Sequence, residues 1–108
     1  MDWSVLLSND AVRDLKELYN YIAKNDSPAK ATQLVTKLEQ LVNNLSQNPE
    51  RGVYPQELSV LGIHTYREIF FKPYRIIYRV YPDTVVVMLV SDGRRDMQTL
   101  LEQRLLAG

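Results

Sequence analysis

The sequence predicts an α+β fold in which two helices precede a small antiparallel sheet. Apolar residues in the first half recur every three or four positions, as in amphipathic helices, whereas most of the second half alternates every second residue, as in strands. Two short turns, at Lys72 and Pro73 and at Pro82 and Asp83, join three strands into a meander. We therefore expect a strand, a helix hairpin, a three-stranded antiparallel meander and a C-terminal helix, with the helices packed on one face of the sheet.

Length and composition indicate an ordinary globular chain. With 108 residues, we expect residues 1–108 to form a single domain. Thirteen basic and 13 acidic residues cancel, which argues against strong non-specific binding to nucleic acid. The absence of cysteine excludes disulfides, thiolate metal sites and a cysteine nucleophile. The start does not resemble a signal peptide, and the longest apolar run, residues 85–90, is too short to cross a membrane, so we expect a cytoplasmic protein.

The predicted helix hairpin follows a short N-terminal strand at residues 3–8. Ser8, Asn9 and Asp10 are candidate N-caps for a helix with apolar positions 11, 12, 15, 18, 19 and 22. Ser27 is a candidate N-cap for the next helix, with Pro28 at the tolerated first position. This second helix should end near residues 46–48. The connection of only four residues predicts an antiparallel pair.

The predicted sheet begins after a loop at residues 49–62, which we expect to fold back onto the core. Strands are expected at residues 64–71, 74–81 and 85–90, and a last helix should begin after Asp96. In the second of these strands, Tyr74, Ile76, Tyr78 and Val80 should face the hairpin, while alternation leaves Arg75 and Arg79 on an open face, within reach of a ligand or partner.

Residues 85–90 are apolar at every position, so this strand should lie centrally in the sheet. The hairpin covers only one face. The other face needs a cover, either the C-terminal helix or another chain, because an exposed apolar patch of several hundred Å² marks an interaction site. We expect a partner segment to lie there, adding a helix in a groove and a strand at a sheet edge.

Two segments resemble the RelE/ParE superfamily of toxins from type II toxin–antitoxin systems. The first is Tyr74-Arg75 followed by an Ile-Tyr-Arg-Val strand, and the second is Gly93-Arg94-Arg95-Asp96 about 20 residues later. The resemblance implies a toxin neutralised by a cognate antitoxin, with no cofactor and no metal. It also implies one of two targets: RelE-like members cut mRNA in the ribosomal A site, and ParE-like members inhibit DNA gyrase.

The residues favour the ParE-like branch, with RelE-like mRNA cleavage as the alternative. A metal-free nuclease would use Arg75, Arg95 and Lys72, but it also needs groups that move protons. The cleaving branch carries a cluster of lysines on the strand where this chain has only Arg67 beside an acidic residue. Leu101 stands where that branch tends to place an acid–base aromatic residue. His64, a possible base, lies at the start of its strand, away from Arg95 in the sequence.

The resemblance and the charge pattern together give a set of candidate contacts for target or antitoxin. We expect acidic antitoxin residues to pair with arginines of the sheet and of the turn after it. We also expect Arg75→Ala to lower toxicity modestly without loss of the fold. A third hypothesis is an inert member that only binds an antitoxin. The candidate contact residues are Arg67, Arg75, Arg79, Arg94, Arg95, Met97, Leu101 and Leu105.

Overall fold

The chain forms a four-stranded sheet with helices on both faces. The computed structural model describes residues 2–107. The strands are β1 (Ser4–Leu7), β2 (Tyr66–Phe71), β3 (Tyr74–Val80) and β4 (Thr84–Asp92). The helices are α1 (Asn9–Asn25), α2 (Pro28–Asn43), the short α3 (Gln56–Ser59) and α4 (Met97–Leu101), which continues into a π-helical segment (Glu102–Leu106). The predicted α+β class and the order of the predicted elements are confirmed, while α3 is an additional helix within the expected loop at residues 49–62.

The sheet has the strand order β1-β4-β3-β2. The predicted antiparallel meander of β2, β3 and β4 is confirmed, and β4 lies between two other strands, as its apolar composition indicated. The first strand joins parallel to β4, with Ser4 opposite Thr84 and Leu7 opposite Val87. Because β1 covers only the first four residues of β4, the second half of that β4 edge has no strand partner among residues 2–107.

Capping side chains place the starts of both hairpin helices. The Ser8 hydroxyl accepts a hydrogen bond from the Ala11 N–H at 3.1 Å, and the Ser27 hydroxyl accepts one from the Lys30 N–H at 3.1 Å. Of the candidate caps, Ser8 and Ser27 are therefore confirmed. The α-helical part of α2 ends earlier than predicted, because its last turn tightens into a 3₁₀ turn (Asn44–Ser46). No helix within residues 2–107 is both long enough and apolar enough to cross a membrane.

One face of the sheet packs against the α1–α2 hairpin. Ile76 and Tyr78 of β3 are fully buried there, which confirms their predicted direction. The Tyr78 hydroxyl accepts a hydrogen bond from the Gly52 N–H at 2.9 Å and donates one to the Pro49 carbonyl at 2.7 Å. The loop after the hairpin is thus anchored to the core, as expected. Residues of the hairpin in the same cluster are Ala11, Leu15, Leu38 and Val42.

A β-bulge in β4 changes which residues face the hairpin. Tyr78 lies opposite Val87 and the preceding Ile77 lies opposite Leu89, so Met88 is an extra residue in the pairing. Val87 and Val90 therefore both contact the hairpin side, whereas Leu89 packs on the opposite side. Side chains of β4 are therefore buried on both faces of the sheet, and the bulge changes their alternation. For this reason an uninterrupted apolar run suits β4.

The second face of the sheet is covered by α3 and α4. Ile77 and Leu89 are buried there against Leu58 of α3 and against Met97 and Leu101 of α4. The prediction that the helices pack on one face of the sheet is therefore wrong for the C-terminal helix, because only the hairpin lies on the first face. Our expectation that a partner segment covers the second apolar face is wrong, because the chain's own helices already bury it.

Candidate functional site

Arg75, predicted to stand on an open face, is instead held by two carboxylates. Its Nη1 and Nη2 donate to the two carboxylate oxygens of Glu57, each at 2.7 Å, and its Nε donates to Glu68 at 2.7 Å. Only 12% of the Arg75 side chain is exposed. The prediction of an accessible Arg75 is wrong, because α3 forms within the expected loop and brings Glu57 over the strand.

The pKa values in this cluster reflect how two acids share one guanidinium. The hydrogen bonds from Arg75 lower the pKa of Glu57. Burial raises the pKa of Glu68, although Arg75 opposes that effect. The hydrogen bonds to Glu57, opposed in part by burial and reinforced by Glu68, raise the pKa of Arg75. Arg75 is therefore a permanent internal cation, and we refer to Glu57, Glu68 and Arg75 as the internal ion cluster.

Arg67 and Arg79 are partly exposed and lie against aromatic rings. The Arg67 guanidinium donates to the Gly52 carbonyl at 2.9 Å and to the Tyr54 hydroxyl at 3.2 Å, and it lies 4.6 Å from that ring's centroid. The Arg79 guanidinium lies 4.9 Å from the Tyr81 ring centroid. Neither forms an ion pair within residues 2–107. Arg79 thus remains available on the sheet, whereas Arg67 also braces the loop after the hairpin.

The turn after β4 exposes two arginines in different states. Arg94 forms an ion pair with Asp92 at 2.6 Å, and this contact lowers the pKa of Asp92 and raises that of Arg94. Arg95 is exposed, and its guanidinium has one weak contact, 3.5 Å to the Ser91 hydroxyl. Within residues 2–107, Arg95 has no carboxylate partner, so its charge faces solvent.

Gly93 connects the two arginine motifs. Its N–H donates to the Pro73 carbonyl at 2.7 Å. A Cβ at this position would lie 3.0 Å from Cγ of Arg75 and 2.7 Å from its Cδ, and the second distance is closer than real Cβ atoms approach. The stem of Arg75 therefore packs under the turn that displays Arg95. The two motifs noted in the sequence form one structural unit.

Arg95 borders a groove between α1 and the end of β4, which we call the turn groove. Its volume is about 590 Å³, within the range of ligand-binding clefts. Burial, followed by the nearby charge of Asp92, raises the pKa of Tyr74. The Tyr74 phenol therefore stays protonated at neutral pH and can donate a hydrogen bond but not accept a proton as a base. The lining residues are Asp14, Glu17, Leu18, Tyr21, Ile22, Tyr74, Val90, Ser91, Asp92, Arg94 and Arg95.

Asp14 organises one end of the turn groove, and the sequence analysis did not identify it. Its carboxylate accepts from the Val90 N–H at 3.0 Å and from Arg104 at 3.0 and 3.1 Å. It thereby replaces the missing strand partner of β4 and fastens the C-terminal segment to α1. The sequence showed only a charged residue off the apolar stripe of α1.

The other predicted contact residues lie outside the turn groove. Met97 and Leu101 are buried under the sheet and Leu105 is half-buried beside them, so these three serve the core. Lys72 is exposed between β2 and β3. His64 packs on Tyr54 with ring centroids 4.9 Å apart and is not among the groove residues. Of the candidate contact residues, the turn groove therefore brings together only Arg94 and Arg95.

A second, more apolar groove runs between the hairpin and β1. It has a volume of about 460 Å³ and continues through Leu7, Leu15 and Glu39 into a smaller cavity of about 130 Å³. The apolar side chains come from all three elements. We call it the hairpin groove, and its main part is lined by Leu7, Val12, Leu15, Lys16, Tyr19, Asn20, Val35 and Glu39.

Comparison with solved structures shows the same fold in toxins. A chain of the chromosomal ParDE toxin–antitoxin system from P. aeruginosa aligns with a TM-score of 0.71 at 20% identity, covering 83% of this chain and 95% of that one. A chain of the toxin–antitoxin complex RelBE2 from Mycobacterium tuberculosis gives a TM-score of 0.62 at 19% identity, over 85% and 92%. A mutant of E. coli toxin RelE in the free state gives 0.63 at 14% identity, over 93% of each chain.

Comparison of sequences matches this chain to ParE toxins. Toxin ParE3 of Caulobacter vibrioides is 24% identical over 91 residues, which are 84% of this chain and 87% of that toxin. A family model described as the ParE toxin of the type II toxin–antitoxin system parDE matches residues 5–97. With this match over most of its length, the chain belongs to the ParE toxin family of type II toxin–antitoxin systems.

Proposed function

We propose that this toxin acts by binding rather than by cleavage, inhibits DNA gyrase, and is neutralised by a cognate antitoxin. The observation that carries the proposal is the different state of the two motif arginines. Arg75 is neutralised inside the protein by Glu57 and Glu68, whereas Arg95 presents an unpaired charge on an exposed turn. An exposed guanidinium without a carboxylate partner suits recognition of a carboxylate or phosphate on another molecule.

Metal-free RNA cleavage would require more from these residues. The 2′-hydroxyl must lose a proton and the developing charge on phosphorus must be stabilised. Arg75, one of the two arginines expected to stabilise that charge, already binds carboxylates through Nε and both Nη atoms. Tyr74 lines the same groove as Arg95, but its raised pKa makes it unsuitable as a base at neutral pH. These features support inhibition by binding.

One observation favours the RelE-like alternative, ribosome-dependent mRNA cleavage. Tyr74, Arg94 and Arg95 line the same groove, so a phenol able to donate a proton and two cations share one cleft. A phenol and two guanidinium groups in one groove could protonate a leaving oxygen while stabilising a phosphate. Glu17 also lines the groove, as a carboxylate on its opposite wall. The alternative therefore places its chemistry in the turn groove, without Arg75 and Lys72.

For the antitoxin we propose the hairpin groove and the edge of β1 as the docking site. Leu7, Leu15 and Val35 contribute an apolar floor, and β1 has a strand partner on one side only. A helix can occupy the groove and a strand can pair with the edge. An acidic antitoxin residue could also pair with Arg95. Support comes from two of the structural neighbours, one from a ParDE system and one from a RelBE2 toxin–antitoxin complex.

The proposed function is tested with purified toxin in a gyrase supercoiling assay beside a translating-ribosome cleavage assay. We expect inhibition of supercoiling and no mRNA cleavage. Arg95→Gln should weaken inhibition at least tenfold, because it removes the unpaired cation. The matched control is Arg51→Gln, which removes the same charge at an exposed position in the loop after the hairpin.

Each remaining outcome has a defined meaning. Cleavage of ribosome-bound mRNA without effect on gyrase would replace the proposal with the RelE-like alternative. Inactivity in both assays, without growth arrest on expression, would indicate an inert member that only binds its antitoxin. Equal loss in the Arg95 and Arg51 variants would show that total charge, rather than the turn groove, determines inhibition.

A further inference from the structure

The internal ion cluster contains one more acid than base. We infer that Glu57 and Glu68 are specificity-determining residues, which bind Nε and both Nη atoms of Arg75 and so keep nucleic-acid phosphates from this guanidinium. The inference rests on the proposed binding mechanism and deepens it, because it names what prevents this toxin from engaging RNA. It concerns the second face of the sheet and not the turn groove.

The geometry leaves Arg75 no free donor pair for a phosphate. Glu57 accepts from both Nη atoms in a bidentate arrangement, and Glu68 accepts from Nε. A phosphate would need the same fork of N–H groups. The carboxylate of Glu57 therefore occupies the place that a phosphate oxygen pair would take.

The position of Glu57 shows how the site could open. Its side chain is 24% exposed and borders a solvent-open cavity of about 240 Å³, lined by Gln56, Glu57, Val60 and Gln98. Removing the Glu57 side chain would extend this cavity towards the Arg75 guanidinium. Glu68 is almost fully buried, so its carboxylate acts through charge and hydrogen bonding rather than by blocking access.

Other groups near Arg75 would assist an anion once the carboxylates are gone. Phe70 lies opposite Arg75 in the β2–β3 register and is 50% exposed, so a ring is available for a base to stack on. Arg79 follows on the same side of β3 and lacks a carboxylate partner within residues 2–107. With Glu57 and Glu68 present, the charge of Arg75 is neutralised. Without them, Arg75, Arg79 and Phe70 would form a surface suited to single-stranded RNA.

The test measures affinity for a labelled single-stranded RNA oligonucleotide at low salt, by fluorescence anisotropy. The double variant Glu57→Ala with Glu68→Gln opens the cavity and removes both negative charges. We expect it to bind RNA about tenfold more tightly than the wild type, with a steeper dependence on salt concentration. Adding Arg75→Gln to this double variant should abolish the gain.

The matched control is Asp2→Ala with Glu50→Gln, which changes the net charge equally at two exposed positions. Equal RNA affinity of the control and the folded double variant would overturn the inference, as would a gain that survives Arg75→Gln. Circular dichroism checks folding. If the double variant does not fold, Glu57→Ala alone should give a gain of about threefold that Arg75→Gln removes, and no gain there would also overturn the inference.

Failure of this inference is distinguishable from failure of the proposed function. The RNA measurement uses neither gyrase nor ribosomes, so it is independent of which target the toxin inhibits. A wild type that cleaves mRNA on ribosomes would refute the proposed function. An unchanged RNA affinity in the double variant would refute only the role of Glu57 and Glu68.

Discussion

Arg75 and Arg95 belong to the same pair of motifs but have opposite environments. Arg75 is buried beneath α3 with two carboxylates, while Arg95 is exposed with one weak contact to a hydroxyl. The stem of Arg75 packs against Gly93, two residues before Arg95. One arginine therefore supports the turn, and the other is presented by it. Two arginines from the same pair of motifs therefore have different roles.

The largest expected difference is in stability. Replacing Arg75 by Gln leaves Glu57 and Glu68 without their cation, and breaking such a buried pair costs about 3 kcal/mol. Arg95→Gln should change the free energy of unfolding by less than about 0.5 kcal/mol, because that side chain is exposed. Urea unfolding measures both. Equal stability of the two variants would remove the distinction between a supporting and a presented arginine.

This prediction revises the expectation from the sequence about Arg75→Ala. The sequence alone predicts a modest loss of toxicity with the fold intact. The internal ion cluster instead predicts that lost toxicity in that variant follows lost stability. Toxicity compared at equal amounts of folded protein separates the two effects.

Gly93→Ala should sharpen the comparison by testing the contact between the motifs. The added Cβ would meet the Arg75 stem at 2.7 Å, and overpacking of this kind costs about 2 kcal/mol. Because Arg75→Ala removes that stem, the cost of Gly93→Ala should be smaller in its background. A double-mutant cycle measures this coupling, and strict additivity would contradict the contact. Gly62→Ala is a useful contrast, since its strain comes from a φ of +75° with no atom nearby.

Asp14→Asn should loosen the link between the turn groove and the C-terminal segment. The substitution removes the charge that Arg104 contacts at 3.0 Å and disturbs the hydrogen bond from the Val90 N–H. We expect a loss of about 1.5 kcal/mol and faster hydrogen exchange in residues 97–106. Asp10→Asn serves as the control, because Asp10 is 3.6 Å from Arg104 and half exposed. Unchanged exchange in the Asp14 variant would show that apolar packing alone holds this segment.

The smallest expected effect is a difference in pH dependence between the two acids of the internal ion cluster. The pKa of Glu57 is lowered in the folded state, so its stabilisation is present above the ordinary value of 4.5 and is lost as pH falls through the folded pKa. The pKa of Glu68 is raised, so stability is greatest below 4.5 and falls as pH rises through the folded pKa. Urea unfolding between pH 3 and 7 measures both.

Replacing each glutamate by glutamine should reveal that Glu57 and Glu68 make stability depend on pH in opposite directions. Relative to the wild type, Glu68→Gln should become more favourable as pH rises above about 4.5, because it cannot ionise. Glu57→Gln should become less favourable as pH rises towards about 4.5, because the wild type gains its ionised contact there. Slopes of the same sign in both variants would mean that the two acids do not differ in environment as described.

Most of the fold was predictable because its signals are local. Helical spacing, the caps Ser8 and Ser27, and strand alternation each depend on residues close in sequence. The inward direction of Ile76 and Tyr78 followed from the same alternation. The bulge at Met88 could not be predicted, since an apolar run is compatible with either register.

The candidate site was predictable in part only. Arg94 and Arg95 were identified from their motif, and both line the turn groove. Asp14 was not identified, because its role depends on where α1 lies relative to β4. Glu57 gave no signal, because α3 is a four-residue helix inside an apparent loop. Met97 and Leu101 were expected at an interface, but they bury the second face of their own sheet.

The sequence by itself determined the α+β class, the element order, the hairpin caps and the toxin superfamily, since these follow from local patterns and motifs. Only the tertiary structure decided which arginine is free. Whether a cation faces solvent depends on carboxylates distant in the chain, here 18 and 7 residues away from Arg75. Residue type determines the charge that a position can carry, but packing determines what that charge can reach.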